Sequence, residues 1–147
     1  MRSFDSLRSL RMTKIMLISD ILKSAKTIAI VGLSDKPDRP SFEVAKYLQE
    51  KGYRIIPVNP NAPEVLGEKA YSDIGSIPKE ITIDIVDIFR RSEEVVPHVK
   101  EAIGRGGVKV IWMQEGIINE EAAELARERG IEVIMDACMM KSHKLGY

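Results

Sequence analysis

Five short runs rich in β-branched residues punctuate the chain, and no other feature restricts its possible folds as much. The runs are Thr27–Val31, Tyr53–Val58, Ile83–Val86, Val108–Trp112 and Ile131–Met135. Each is short for a helix and too apolar for a strand with one wet face, which predicts strands buried on both sides. Between them apolar residues fall at helical spacing. Phe42, Val44, Ala45 and Leu48 share one face of a segment from Ser41 to Lys51, closed by Gly52. Val95, Val96, Val99, Ala102 and Ile103 do the same ahead of Gly104, and Ala122, Ala123, Leu125 and Ala126 ahead of Gly130. A leading helix is expected from Ile15 to Ala25.

Strands alternating with helices specify an α/β fold with right-handed crossovers and both faces of the sheet covered. The expected architecture is a three-layer, Rossmann-like, doubly wound sheet, mainly parallel, of about five strands. Asn61 to Pro78 is too irregular for a full crossover helix and is expected to hold a short strand or turn around Lys69 to Tyr71. One domain is expected over 15–147, after an N-terminal extension over 1–14 that need not be ordered.

Composition narrows the function classes. Hydrophobic residues at 44% and charged residues at 30% fit a soluble globular chain, and the apolar runs are too short to span a bilayer. Twenty-two basic residues balance 22 acidic ones, so no global field gathers nucleic acid or an acidic membrane. An anion site must therefore be local. A single cysteine, Cys138, excludes an intrachain disulfide and fits a reducing cytoplasm.

Ligands of an open parallel sheet bind beyond the carboxyl ends of its strands. After the first run comes Gly32-Leu33-Ser34-Asp35-Lys36-Pro37-Asp38-Arg39-Pro40-Ser41, leading into a helix. A turn glycine, two hydroxyls, Lys36 and Arg39 ahead of a helix N-terminus suit a phosphate. The same residues also suit a plain turn at Gly32 and a helix cap at Ser41. The loop lacks G-x-G-x-x-G, and the second run ends Pro57-Val58-Asn59-Pro60 without a carboxylate for a ribose. NAD is disfavoured, and the absence of G-x-x-x-x-G-K-[ST] excludes a P-loop site. After the third run, Asp87-Ile88-Phe89-Arg90-Arg91 offers an aromatic ring for an adenine and cations for a phosphate. The fourth run leads to Trp112-Met113-Gln114-Glu115-Gly116; a core role is usual for such a tryptophan, while Gln114 and Gly116 suit a loop approached by a ligand. The fifth leads to Cys138.

Together these segments resemble the stand-alone CoA-binding proteins, small prokaryotic relatives of the CoA-binding domain of the succinyl-CoA synthetase α subunit. The likeness covers Ala25 to His143 and is most specific in G-Y-x-x-x-P-V-N-P at Gly52 to Pro60. It implies coenzyme A as the cofactor. The Gly32–Ser41 loop would then hold the pyrophosphate, Asn59 and Pro60 would border the nucleotide, Phe89 and Arg90 would lie along the adenosine part, and Trp112 to Gly116 would line the path of the pantetheine arm. Two residues depart from the family pattern: Leu33 replaces a smaller residue and would crowd the loop, and Ser142 replaces an acidic residue before the histidine. The synthetase carries its phosphorylated histidine in a separate domain, so the likeness implies binding without the ligase reaction.

Candidates for catalysis are few. His98 follows Pro97 in a helical stretch and is expected at the surface, while His143 lies five residues beyond Cys138 with no orienting group at convincing spacing. Two histidines with scattered carboxylates make no metal pattern. Cys138 is expected to be a small buried apolar residue, or, where the arm reaches it, a mixed-disulfide partner for the CoA thiol. The expected protein is a non-enzymatic, cytoplasmic carrier, sensor or regulatory module for CoA or an acyl-CoA, with a small-molecule partner and no nucleic acid or membrane. Two alternatives stand beside it: an NAD(P)- or nucleotide-binding enzyme with an atypical phosphate loop, and an interaction subunit with a vestigial pocket.

Overall fold

The five apolar runs form one parallel sheet. The structure is a computed structural model describing residues 18–146; the extension expected over 1–14 and the start of the leading helix lie outside the described residues. Seven strands occur among those residues: β1 (Thr27–Val31), β2 (Arg54–Val58), β3 (Glu64–Val65), β4 (Glu68–Lys69), β5 (Ile85–Ile88), β6 (Val110–Met113) and β7 (Glu132–Ile134). The main sheet has the order β2-β1-β5-β6-β7, and every pairing in it is parallel. Four helices follow: α1 (Pro40–Glu50), α2 (Val95–Arg105), α3 (Glu120–Glu128) and α4 (Met139–Lys144). A further helical segment runs through 18–24.

The irregular stretch after β2 holds a β3–β4 hairpin whose turn residues, Leu66 and Gly67, both have positive φ (55° and 77°). Tyr71 then adds one parallel bridge outside β2: its N–H donates to the Pro57 carbonyl (3.0 Å) and its carbonyl accepts from Asn59 N–H (2.8 Å). Counting Tyr71 as a one-residue strand, the chain follows the Rossmann order 3-2-1-4-5-6.

Alternate strand residues fill two separate cores. Ala29, Val31, Val86, Ile88, Ile111 and Met113 face Val95, Val99 and Ala102 of α2 and Ala122 and Ala126 of α3. Ile28, Ile30, Ile85, Val110 and Trp112 face Val44, Ala45 and Leu48 of α1, Met139 of α4, and Ile21 and Leu22. Burying each large aliphatic side chain contributes roughly 1.5–3 kcal/mol, most of it offset by chain entropy.

The third strand begins later than its pattern suggests, at Ile85 rather than Ile83. Asp84 works as a staple across the strand entrances. Its Oδ2 accepts from the N–H of Lys26 (2.8 Å) and Thr27 (3.0 Å), and its Oδ1 meets Lys109 Nζ at 3.2 Å. Burial alone would raise its pKa, but these donors and the lysine charge bring it below the usual carboxylate value. Asp87, read from the sequence as the start of the rim, therefore lies inside β5 and is fully buried. Likewise α2 runs through Gly104 and stops at Arg105 before Gly106 (φ 83°). Arg105 anchors that last turn by donating to the carbonyls of Pro78 (2.7 Å) and Ile81 (2.8 Å).

Candidate functional site

β1 and β5 are neighbours, yet the helices that follow them pack on opposite faces, so their carboxyl ends open a crevice. Such a switch point is where doubly wound sheets take their ligands. Gly32 closes the floor. It has φ +83°, and a Cβ there would lie 2.4 Å from the Phe89 carbonyl oxygen and 3.1 Å from Arg90 Cδ. Only glycine lets the two rim segments come this close.

A cleft of about 540 Å³ opens above it. Gly32, Ser34, Lys36 and Arg39 from the loop after β1 line it, with Asn59 and Pro60 from the end of β2 and Arg90 from beyond β5. The loop is braced from within. Ser34 N–H donates to Ser41 Oγ (3.0 Å), Lys36 N–H to Ser34 Oγ (3.0 Å), and Asn59 Nδ2 to the Leu33 carbonyl (2.8 Å). Arg39 is the N-cap of α1 and Pro40 its first residue, so one backbone donor is missing from the helix end. Charge for an anion must come mainly from Lys36, Arg39 and Arg90.

A second cleft of about 570 Å³, which also includes Arg90, is lined by Phe89 to Glu94 with Gly116 and Ile117. Gly116 is held by its N–H, which donates to Asp136 Oδ1 at 2.7 Å.

Other expected contacts lie elsewhere. Leu33 is fully buried under α1, so its side chain packs in the core and does not crowd the loop. Ser41 is buried and braces Ser34 rather than capping the helix. Pro37 turns outward to a groove beside Phe42 and Tyr47. Trp112 lines neither cleft: it is 0% exposed, and its indole N–H donates to the Ala137 carbonyl at 2.8 Å. Gln114 is 3% exposed and its Oε1 accepts from Met139 N–H (3.2 Å), joining β6 to α4. Cys138 is half-buried as the N-cap of α4 and lines neither cleft.

The structure also brings in residues the sequence reading passed over. Ser72, Asp73 and Glu101 line the first cleft, and so does His98, which was expected at the surface. His98 lies in the opening turns of α2, the end that points to the strand termini, and that position was the available signal. Burial, reinforced by the Arg90 charge, pushes the His98 pKa down against the pull of Glu101 and Glu94. Among the described residues no cluster of His, Cys, Asp or Glu could hold a metal ion, and no helix is long and apolar enough to cross a membrane.

Comparison with known proteins bears on the family and the fold. A family model described as a CoA binding domain matches residues 26–144. The protein YneT of Bacillus subtilis is 48% identical over 126 residues, covering 86% of this chain and 91% of the relative. The α subunit of acetate–CoA ligase (ADP-forming) II from Pyrococcus furiosus is 30% identical over 140 residues, covering 84% of this chain but only 29% of the subunit. Among solved structures, a hypothetical protein from Pyrococcus horikoshii superposes with a TM-score of 0.84 at 40% identity, covering 89% of this chain and 90% of that one.

Proposed function

The chain belongs to the family of CoA-binding domains, and from that premise we propose that it binds coenzyme A, free or acylated, along the carboxyl edge of its sheet. It acts there as a carrier, sensor or regulatory module with no chemistry of its own. The observation that carries this reading is the convergence of Lys36, Arg39 and Arg90 on one cleft at the switch point, over a glycine floor. Three cations lining one cleft suit a diphosphate, which accepts hydrogen bonds from several donors at once. An open cleft of about 540 Å³ is within the usual range for small-molecule sites and speaks against a vestigial pocket. The second cleft, sharing Arg90, gives a nucleotide-bearing ligand room for an extended arm. The chain spans less than a third of the ligase α subunit it resembles, and no ligase reaction is assigned to it.

Thermal unfolding with CoA, acetyl-CoA, NAD and ATP tests the reading. Ligand at a hundredfold its Kd stabilises the folded state by about 2.7 kcal/mol, which for a chain of this size raises Tm by roughly 5–10 °C. CoA and acetyl-CoA should give this shift and NAD should not. Gly32→Ala should lose it, because the added methyl meets the Phe89 backbone. A shift with NAD and none with either thioester or thiol form would overturn the proposal.

A further inference from the structure

One side chain is common to the two clefts. Arg90 lines both, and its stem lies against Gly32, with Cδ 3.1 Å from where a Cβ would stand. Its guanidinium is held by an acid: Nη2 lies 3.0 Å from Glu94 Oε1. The other oxygen of that carboxylate, Oε2, is 3.1 Å from Arg91 Nη2. One carboxylate thus bridges two arginines, and one of the two is the arginine common to both clefts.

We propose that Glu94 competes with the ligand's diphosphate for Arg90, so that a phosphate-bearing ligand exchanges for Glu94 on the arginine that the two clefts share. The inference rests on the coenzyme A reading above and names how that site selects its ligand. Three observations support the exchange. The pair is partly exposed, at 45% for Arg90 and 30% for Glu94, so the bond is weak enough to be traded. Arg91 stays on the second carboxylate oxygen, so releasing Arg90 leaves Glu94 compensated. Glu94 is the N-cap residue of α2 but makes no side-chain capping bond, so the helix start does not depend on it. An uncharged pantetheine fragment offers nothing to replace the carboxylate and leaves the pair intact.

Titration calorimetry on the full chain tests this with CoA and with pantetheine as probes. Glu94→Gln should bind CoA about two- to fivefold more tightly than the parent, the range expected for removing an exposed competing pair. Arg90→Ala should bind CoA about tenfold more weakly, and the double variant should match Arg90→Ala, since Glu94 matters only through that arginine. Pantetheine, which makes no demand on Arg90, should bind the parent and Glu94→Gln within about twofold of each other; a gain as large as that of CoA would overturn the exchange. Equal or weaker CoA binding by Glu94→Gln overturns the exchange. So does a gain that persists in the double variant, which would make Glu94 a general repulsive charge. CoA binding to no variant and not to the parent is a different result: it retires the ligand assignment, and the exchange with it.

Discussion

Asp87 is the residue whose chemistry least fits its surroundings. It stands in the middle of β5, in register with Ile30 on one side and Trp112 on the other, and both carboxyl oxygens are buried without a hydrogen-bond partner. Burial pushes its pKa well above the usual carboxylate value, which favours the neutral acid in the folded protein. The consequence for stability has a definite sign. An acid whose folded pKa is raised leaves stability intact below its unfolded pKa, about 4, and removes it as pH rises toward the folded value. Each pH unit in that window costs about 1.4 kcal/mol. Urea unfolding of the parent should therefore weaken as pH rises above the ordinary carboxylate range, whereas Asp87→Asn, which cannot ionise, should be flatter over the same rise. Parallel profiles for the two proteins would mean that Asp87 is not held protonated.

At the scale of elements, strands were legible where burial on both faces forces a β-branched run, as at Thr27–Val31, which the structure reproduces residue for residue. Ends were not. Hydrophobicity alone cannot tell Ile83 from Ile85, because the boundary is set by where Asp84 finds its donors across the sheet. Gly104 reads as a stop, yet Arg105 holds the helix for one more residue through carbonyls far away in sequence. The candidate site divides in the same way. Gly32, Lys36, Arg39 and Arg90 follow strands and could be placed from that fact alone. Ser72 and Asp73 come from an irregular segment with no local pattern, and Trp112 has the same sequence position whether it faces a ligand or the core. The close approach of α2 and α3 was partly visible as alanines: Ala102, Ala122 and Ala126 are all fully buried in one core. Ala126→Leu has no space to fill there and should destabilise the fold by roughly 1–3 kcal/mol, read as a lower urea midpoint. An unchanged midpoint would mean that the two helices are not in close contact.

For the molecule as a whole, 22 basic and 22 acidic residues cancel, so an anionic ligand meets no long-range field on approach. Attraction begins only within the cleft, and even there the cations share space with acids. Two of those acids are turned to other work: Asp73 Oδ1 takes Ser76 N–H (2.8 Å) and Oγ (2.6 Å), and Glu101 Oε2 takes Gly75 N–H (3.1 Å). The cleft cations therefore act at contact distance, inside the screening length of about 10 Å at 0.1 M salt. This separates the kinetics of binding into two parts with different salt sensitivity. The association rate constant for CoA should change by less than about twofold between 0.05 and 0.5 M salt, because there is little net field to screen. Affinity should still fall severalfold over that range, through faster dissociation from partly exposed contacts such as Arg90. Stopped-flow measurement at a series of salt concentrations reads both constants. A steep fall in the association rate would show that the local cluster steers ligand as a strongly charged protein does, and that charge balance over the whole chain is the wrong scale on which to judge its reach.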